Sequence, residues 1–243
     1  MKKTLPRCPV LVDIDGTLTD DRAQPQIDPR HLLGNALLGI LGDELVRTGV
    51  KRREVEPRFL QFTQELIYWD YADFIQRFRL PSARVWARLQ AWHARHITVY
   101  GDGVQMVCDL FEREYPLFII SNNPLTGCLL KLEAARLGSL QGTPWFGRIF
   151  CSNLTRGQKG RSDYWERAFV SAGLDPHQVV VVGNDLKEDF QVPQGLGIRH
   201  TFLVNRQLRR RPAATAGLTV VKSLDEVLPR LGTLLAVPGK KET

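Results

Sequence analysis

Three short apolar runs in this 243-residue chain each stop abruptly at small or acidic polar residues, and nothing else in the sequence narrows its fold as far. Residues 10–14 lead into Asp15-Gly16-Thr17, residues 117–120 into Ser121-Asn122-Asn123, and residues 179–182 into Gly183-Asn184-Asp185. Runs with almost no polar interruption suit strands covered by helices on both faces, as in a parallel sheet. Helical spacing fills the intervals. Residues 104–114 read as one helix and 164–172 as another, the second ending near Gly173 with Pro176 beyond. Residues 201–204 read as a later strand and 224–235 as a closing helix. Such alternation predicts an α/β fold with an open, doubly wound parallel sheet. In sheets of that kind the polar residues at the carboxyl ends of the strands share one crevice. Asp13, Ser121 and Asp185, far apart in sequence, are therefore expected neighbours.

Residues 20–96 follow another pattern. They are rich in Leu, Arg, Trp and Phe, with apolar residues at helical spacing such as Phe59, Phe62 and Leu66, or Trp86, Leu89, Trp92 and His93. The stretch reads as a helical insertion placed directly after the first strand. It divides the chain into a sheet domain, 1–19 and 97–243, and an inserted helical domain, 20–96. The interval from Ser121 to Lys159 accommodates a helix, a strand and a connection, but no second insertion. Trp86 and Trp92 are expected in a core rather than against a substrate. His31, His93 and His96 have no partner visible in the sequence, and residues 238–243 read as a loose tail.

Composition narrows the roles available. A hydrophobic content of 43% and a charged content of 24% are ordinary for a globular protein, and no apolar run approaches the length that spans a bilayer. Residues 1–6 are basic but lack the apolar stretch and cleavage site of a signal peptide, so a cytoplasmic protein with no membrane partner is expected. Cys8, Cys108, Cys128 and Cys151 show neither CxxC nor zinc-like spacing and read as reduced, small hydrophobes. The net charge of +7 and the block Arg206-Gln207-Leu208-Arg209-Arg210-Arg211 invite a nucleic-acid reading. No nucleic-acid motif accompanies the block, which reads as a solvated loop after a strand. A small anionic substrate meets the same excess charge. Nucleic acid is not an expected partner, and the oligomeric state stays open.

The first strand end carries the chemistry. An unpaired buried charge is costly, so a buried strand that finishes on two acids needs something to compensate them. Asp13 and Asp15 are two apart and point the same way on an extended strand. With a cation beside them, one carboxylate can act as nucleophile while the other handles protons. Taken singly, the polar segments have plainer readings. Asp13-Ile14-Asp15-Gly16 suits a strand-end turn, Ser121-Asn122 a helix N-cap, and Lys159 an ordinary surface lysine.

Taken together and in order, four segments resemble the motifs of the haloacid-dehalogenase (HAD) superfamily of phosphohydrolases. They are Asp13-Ile14-Asp15-Gly16-Thr17-Leu18, Phe118-Ile119-Ile120-Ser121-Asn122, Lys159 ahead of a helix, and Gly183-Asn184-Asp185 followed by Asp189. The resemblance runs through roughly residues 8–20 and 97–235. It implies a Rossmann-like core with a helical cap, and a magnesium-dependent phosphatase acting on a small phosphate monoester. It makes Asp13 the nucleophile that forms an aspartyl-phosphate and Asp15 the general acid, then base. Ser121 and the Asn122 N–H would hold phosphate oxygens, Lys159 would supply a compact charge, and Gly16 and Thr17 would shape the turn beside the substrate. Magnesium would take the Asp13 carboxylate, the Asp15 carbonyl and the Asp185 carboxylate, with Asp189 supporting Asp185.

Two departures from the family pattern stand out. Lys159-Gly160 replaces Lys-Pro, and Asn184 follows Gly183 where many members have aspartate, leaving Asn184 a supporting group or a direct metal contact. The insertion would be a mobile lid that selects the substrate. A phosphomutase uses the same residues and is the first alternative. Dehalogenase relatives lack the second aspartate that Asp15 supplies here, and a non-catalytic phosphate-binding protein is the remaining alternative. Motif order argues against a phospho-acceptor receiver domain.

Overall fold

The computed structural model describes residues 7–21, 32–207 and 215–235. Strand β1 (Val10–Asp13) has every residue buried and leads through a tight turn to the short β2 (Thr19–Asp20). Four helices follow, α1 (Ala36–Arg47), α2 (Arg52–Glu65), α3 (Tyr71–Arg77) and α4 (Ser82–His96), before β3 (Thr98–Val99) pairs antiparallel with β2. The chain continues through α5 (Gly101–Glu112), β4 (Leu117–Ile120), α6 (Leu125–Ala134), β5 (Arg148–Phe150), α7 (Ser152–Thr155) and α8 (Ser162–Ala172). It ends with β6 (Val180–Gly183), α9 (Val192–Gly195), β7 (His200–Val204), β8 (Leu218–Val221) and α10 (Val227–Leu235). The main sheet has the order β5-β4-β1-β6-β7-β8 and is parallel throughout.

The uninterrupted strands are explained by what covers them. Val10 and Val12 pack with Leu117, Ile119, Val180 and Val182 under Met106 and Leu110 of α5, Leu129 and Leu132 of α6, and Leu231 of α10. Leu11, Ile120, Phe150 and Val181 face the other way, onto Tyr164, Trp165 and Phe169 of α8. Burying one Val or Leu contributes roughly 1.5–3 kcal/mol, so β1 is anchored on both faces and its carboxyl end is held firmly. It pairs with β4 on one side and β6 on the other, and the chain winds outward in both directions from it. The crevice therefore opens at the ends of β1, β4 and β6.

Helices α1–α4 bury a cluster of their own, including Leu41, Val55, Phe59, Phe74, Val85 and Leu89, and it takes in Leu130 of α6. Phe74 meets Phe59 and Phe62 edge-on, each pair with centroids 4.9 Å apart, the arrangement that aromatic quadrupoles favour. Trp86 and Trp92 pack against this cluster, as expected. Leu66 does not: α2 ends one residue before it and leaves it exposed. Asp70 caps α3 in a reciprocal capping box with Asp73, and its other oxygen accepts from the Thr126 N–H of α6 at 2.8 Å. That bond ties the inserted helices to the sheet layer.

Sequence expectations and structure differ at three further places. The β2–β3 ribbon and strand β8 were not anticipated. Arg206 is not a solvated loop residue: it lies 3.8 Å over the Tyr100 ring, pairs with Asp102 and donates to the Thr17 carbonyl at 2.9 Å. Arg209, Arg210, Arg211 and His31 lie outside the described residues, as do residues 1–6 and 238–243. Among the described residues all four cysteines are free, and no helix is long and apolar enough to cross a membrane.

His93 shows how the inserted helices respond to pH. It is buried on α4, with Nδ1 bonded to the Leu89 carbonyl at 2.8 Å and Nε2 without a hydrogen-bond partner among the described residues. Burial pushes its pKa down to about 4, and Lys131 adds to that effect. An unfolded histidine titrates near 6.5, so the unfolded chain takes up the proton first as pH falls. Stability from the neutral ring is complete above pH 6.5 and is lost between there and pH 4, by on the order of 3 kcal/mol. Urea denaturation at pH 7 and pH 4.5 should show a larger drop for the wild type than for His93→Leu. Equal drops would refute this role.

Candidate active site

Asp13 ends β1 at only 2% exposure, and two side chains hold its carboxylate. Oδ1 is ion-paired with the Lys159 amine, and Oδ2 accepts from the Thr17 hydroxyl at 2.9 Å. Lys159, buried just ahead of α8, reaches Asp189 Oδ1 at 2.8 Å on its other side. Its backbone is fixed as well: its N–H donates to Asn122 Oδ1 at 2.7 Å, and its carbonyl accepts from Trp165 Nε1 at 2.9 Å. Burial disfavours the ammonium, but Asp13 and Asp189 outweigh it and hold the Lys159 pKa well above the ordinary value. Burial pushes Asp13 up to about 7, with Lys159 pulling it back down and Asp189 and Asp15 pushing it further up.

After β6 the chain makes a π-helical turn over Leu186–Gln191, which returns Asp189 beneath the strand end. Asp189 Oδ2 accepts from the N–H groups of Asn184 and Asp185, both at 3.0 Å. The approach is so close that a Cβ on Gly183 would stand 2.3 Å from the Asp189 carboxyl carbon. Gly16 is constrained twice. Its φ is +76°, and a Cβ there would stand 2.2 Å from the Asn184 side-chain amide.

The Asn184 amide faces Asp13 Oδ2 at 3.2 Å and the Asp15 carbonyl at 2.8 Å, and with its nitrogen turned toward them it donates to both. In the opposite orientation three oxygens converge, an arrangement that needs a cation or a proton donor between them. Asp185, expected as the metal ligand, is engaged elsewhere: its Oδ1 caps the following turn, accepting from Lys187 N and Glu188 N at 2.8 Å each. Asp185 also lines the crevice, but Asn184 is the side chain aimed at Asp13 and the Asp15 carbonyl. Among the described residues no group of three or more His, Cys, Asp or Glu is arranged to hold a metal. The donor set here is instead a carboxylate, a backbone carbonyl and an amide oxygen, which are hard ligands that suit magnesium.

A cavity of about 210 Å³ opens over these groups, lined by Asp13, Asp15, Asn122, Lys159, Asn184, Asp185 and Glu188. Glu188 was missed from the sequence; it accepts from Asn122 Nδ2 at 2.7 Å, so Asn122 joins the loops after β4, before α8 and after β6. Among the described residues the Asn122 backbone N–H has no hydrogen-bond partner and remains available to an anion. Ser121 and Thr17, expected beside the substrate, are fully buried and do not line the cavity. Thr17 is bonded to Asp13, and the Ser121 hydroxyl accepts from Asn123 N at 3.1 Å and Asn123 Nδ2 at 3.0 Å. Tyr164 braces the same strand end, accepting from Ser121 N at 2.9 Å and donating to the Phe150 carbonyl at 2.7 Å. A larger cavity, about 650 Å³, shares Gly16 and Asn184 but has no carboxylate in its wall. The carboxylates line the smaller one.

Asp15 also lines the smaller cavity, half-exposed, with both oxygens engaged. Oδ1 pairs with the Lys131 amine and Oδ2 accepts from Asn123 Nδ2. Lys131 also reaches Asp21 Oδ2 at 3.1 Å, and the two carboxylates overcome burial to raise its pKa. Neither Lys131 nor Asn123 was found from the sequence. The signals were present: Lys131 interrupts the apolar helix Leu129-Leu130-Lys131-Leu132, and Asn123 extends Ser121-Asn122 by one more amide.

Solved structures that match this chain over nearly its whole length include a HAD phosphatase, a HAD-hydrolase and a haloacid dehalogenase. The chain has the haloacid-dehalogenase fold. A HAD phosphatase from Thermococcus onnurineus is 23% identical over 94% of this chain and 98% of its own, with a TM-score of 0.55. The putative HAD-hydrolase YfnB from Bacillus subtilis, bound to magnesium, is 20% identical over 93% and 99%, with a TM-score of 0.55. A 2-haloacid dehalogenase from Pseudomonas syringae pv. Tomato DC3000 is 17% identical over 95% and 100%, with a TM-score of 0.57. No family model matches the sequence, and none of the curated proteins is similar to it.

The two glycines give a direct check on this geometry. Gly183→Ala drives a methyl into Asp189 and should cost about 1–3 kcal/mol, read as a shift in the urea midpoint. Gly160→Ala is the matched control. Its methyl would meet Glu188 at an ordinary 3.4 Å and should change stability by less than about 0.5 kcal/mol. Equal costs would contradict the packing of Asp189 under the β6 end.

Proposed function

We propose that this protein is a magnesium-dependent phosphatase that hydrolyses a small phosphate monoester through an aspartyl-phosphate on Asp13. The observation that carries the reading is the Asp13 carboxylate itself. It is buried in the wall of the cavity, held by Lys159 and Thr17, and a second carboxylate, Asp15, lines the same cavity. A dehalogenase needs no second acid there, so Asp15 favours phosphoryl chemistry.

Asp13 attacks phosphorus, and the bond to the ester oxygen breaks as Asp15 gives that oxygen its proton. Water then enters. Asp15 removes its proton as it attacks phosphorus, the bond to Asp13 breaks, and inorganic phosphate leaves. The Asn122 N–H and Lys159 meet the phosphoryl oxygens, and preorganised donors of this kind supply much of the rate. Magnesium, held by the Asp13 carboxylate, the Asp15 carbonyl and the Asn184 amide oxygen, would offset charge repulsion between carboxylate and phosphate. Residues 20–96 serve as the cap that closes over the site and selects the leaving group. Substrates are small and anionic, and neither nucleic acid nor a membrane takes part.

A panel of phosphate esters with p-nitrophenyl phosphate among them, assayed with magnesium and with chelator, tests this directly. Asp13→Asn should lower turnover by about a thousandfold or more without moving the unfolding midpoint much. Activity retained in that variant would falsify the nucleophile assignment. If added bisphosphate converts hydrolysis of a sugar phosphate into isomerisation, the protein is a mutase instead. Asn184→Asp adds a charge beside Asp13. It should lower the melting temperature of the metal-free protein and reduce the half-saturating magnesium concentration about tenfold. An unchanged magnesium dependence would return the ligand role to Asp185.

A further inference from the structure

The phosphatase reading leaves Lys131 without a task, although it is one of the most conspicuous side chains near the site. Its neighbours on α6 are all spoken for: Leu129 and Leu132 pack into the sheet layer and Leu130 into the helical insertion. Lys131 itself is 3% exposed. A buried ammonium is costly unless it is paired, and both of its recorded partners are acids, Asp15 and Asp21. Its amine is absent from the wall of the cavity above Asp13, so it is not placed to meet a phosphoryl group.

We propose that Lys131 is a positioning residue for Asp15, fixing the carboxylate that transfers protons. The proposal rests on the phosphatase reading and extends it. Asp15 lies in a turn beyond β1 and is half-exposed, so an unrestrained carboxylate there would swing toward water. Lys131 holds one oxygen from the rigid side of α6, and Asn123, anchored on the Ser121 hydroxyl, holds the other. Asp21, directly after β2, grips Lys131 from behind at 3.1 Å. Proton transfer needs the acid within about 2.6–3.2 Å of its target, and a misplacement near 1 Å costs about a hundredfold in rate.

A merely structural lysine and a positioning lysine differ in leaving-group dependence. The ratio kcat/KM reports the step that forms the aspartyl-phosphate. p-Nitrophenolate leaves without a proton, whereas an alkyl oxygen needs one from Asp15. Lys131→Met should therefore reduce kcat/KM about a hundredfold for an alkyl ester such as glycerol 2-phosphate and less than about threefold for p-nitrophenyl phosphate. Lys131→Arg should recover most of the loss. Should Lys131→Met fail to fold, Lys131→Gln is read in the same way. Equal losses on both esters would overturn the proposal.

A double-mutant cycle in urea, with Asp15→Asn and Lys131→Met singly and together, tests the contact without any assay of activity. The unfolding constant of the double variant should depart from the product of the single effects by about tenfold or more, and simple additivity would overturn the proposal. A wild type that hydrolyses neither ester while the cycle shows coupling defeats the phosphatase reading, and the proton-transfer role falls with it.

Discussion

One amine organises this protein. Lys159 sits buried between Asp13 and Asp189, and each carboxylate is tied to a different strand end. Asp13 closes β1, while Asp189 turns back under β6 and takes the N–H groups of Asn184 and Asp185 on its second oxygen. The lysine backbone is held in turn by Asn122, beyond β4, and by Trp165 of α8. Removing one member of a buried charge cluster strands the others and typically costs 3–5 kcal/mol, yet replacing a whole cluster with apolar residues is often neutral or stabilising. Stability alone therefore gives no reason to keep two acids and a lysine under the crevice. On the proposed reading, a carboxylate that must stay aligned for attack does.

Around that fixed point the two layers meet through α6. Its Leu129 and Leu132 belong to the sheet core, its Leu130 belongs to the inserted helices, and Glu133 accepts two bonds from Gln90 of α4 at 3.0 Å. The Thr126 N–H at its first turn binds Asp70 of the insertion. A helix shared in this way joins the inserted helices to the layer that carries Asp15. On the sheet side of the crevice, β1 is packed on both faces and paired on both edges.

The legible part of this molecule was what repeats. Strands buried on both faces read as unbroken apolar runs, and a parallel sheet brings their polar ends together, so Asp13, Ser121 and Asp185 could be associated across the chain, with Lys159 and Asp189 added only by the family resemblance. Two-residue strands such as β2 and β3 carry too little pattern to be seen, and the edge strand β8 is only half-buried. Side-chain direction inside a turn was also hidden. Asp185 reads as the metal ligand in the sequence because its spacing to Asp189 fits the family's paired acids; the turn that aims Asn184 at Asp13 and places one Asp185 oxygen on a cap is not visible in that spacing. Lys131 was concealed by its surroundings: a helical lysine among leucines reads as a solvated residue until the chain folds and its acids arrive from 116 and 110 residues away.

Asn184 shows what a neutral residue achieves where a charge would be the obvious choice. An aspartate so close to Asp13 Oδ2 and the Asp15 carbonyl would be repelled by both unless a cation lay between them. An amide has a donor and an acceptor end and can satisfy either condition by a half-turn of its terminal group. With the nitrogen inward it bonds Asp13 and Asp15; with the oxygen inward it completes a set of three hard ligands. The strand ends thus keep their shape with or without a bound ion, and Gly16 is the residue that makes room for the amide to turn. The same exchange leaves fewer charges to hold the ion. On the magnesium reading, such a site would keep its shape without the ion and hold the ion less tightly.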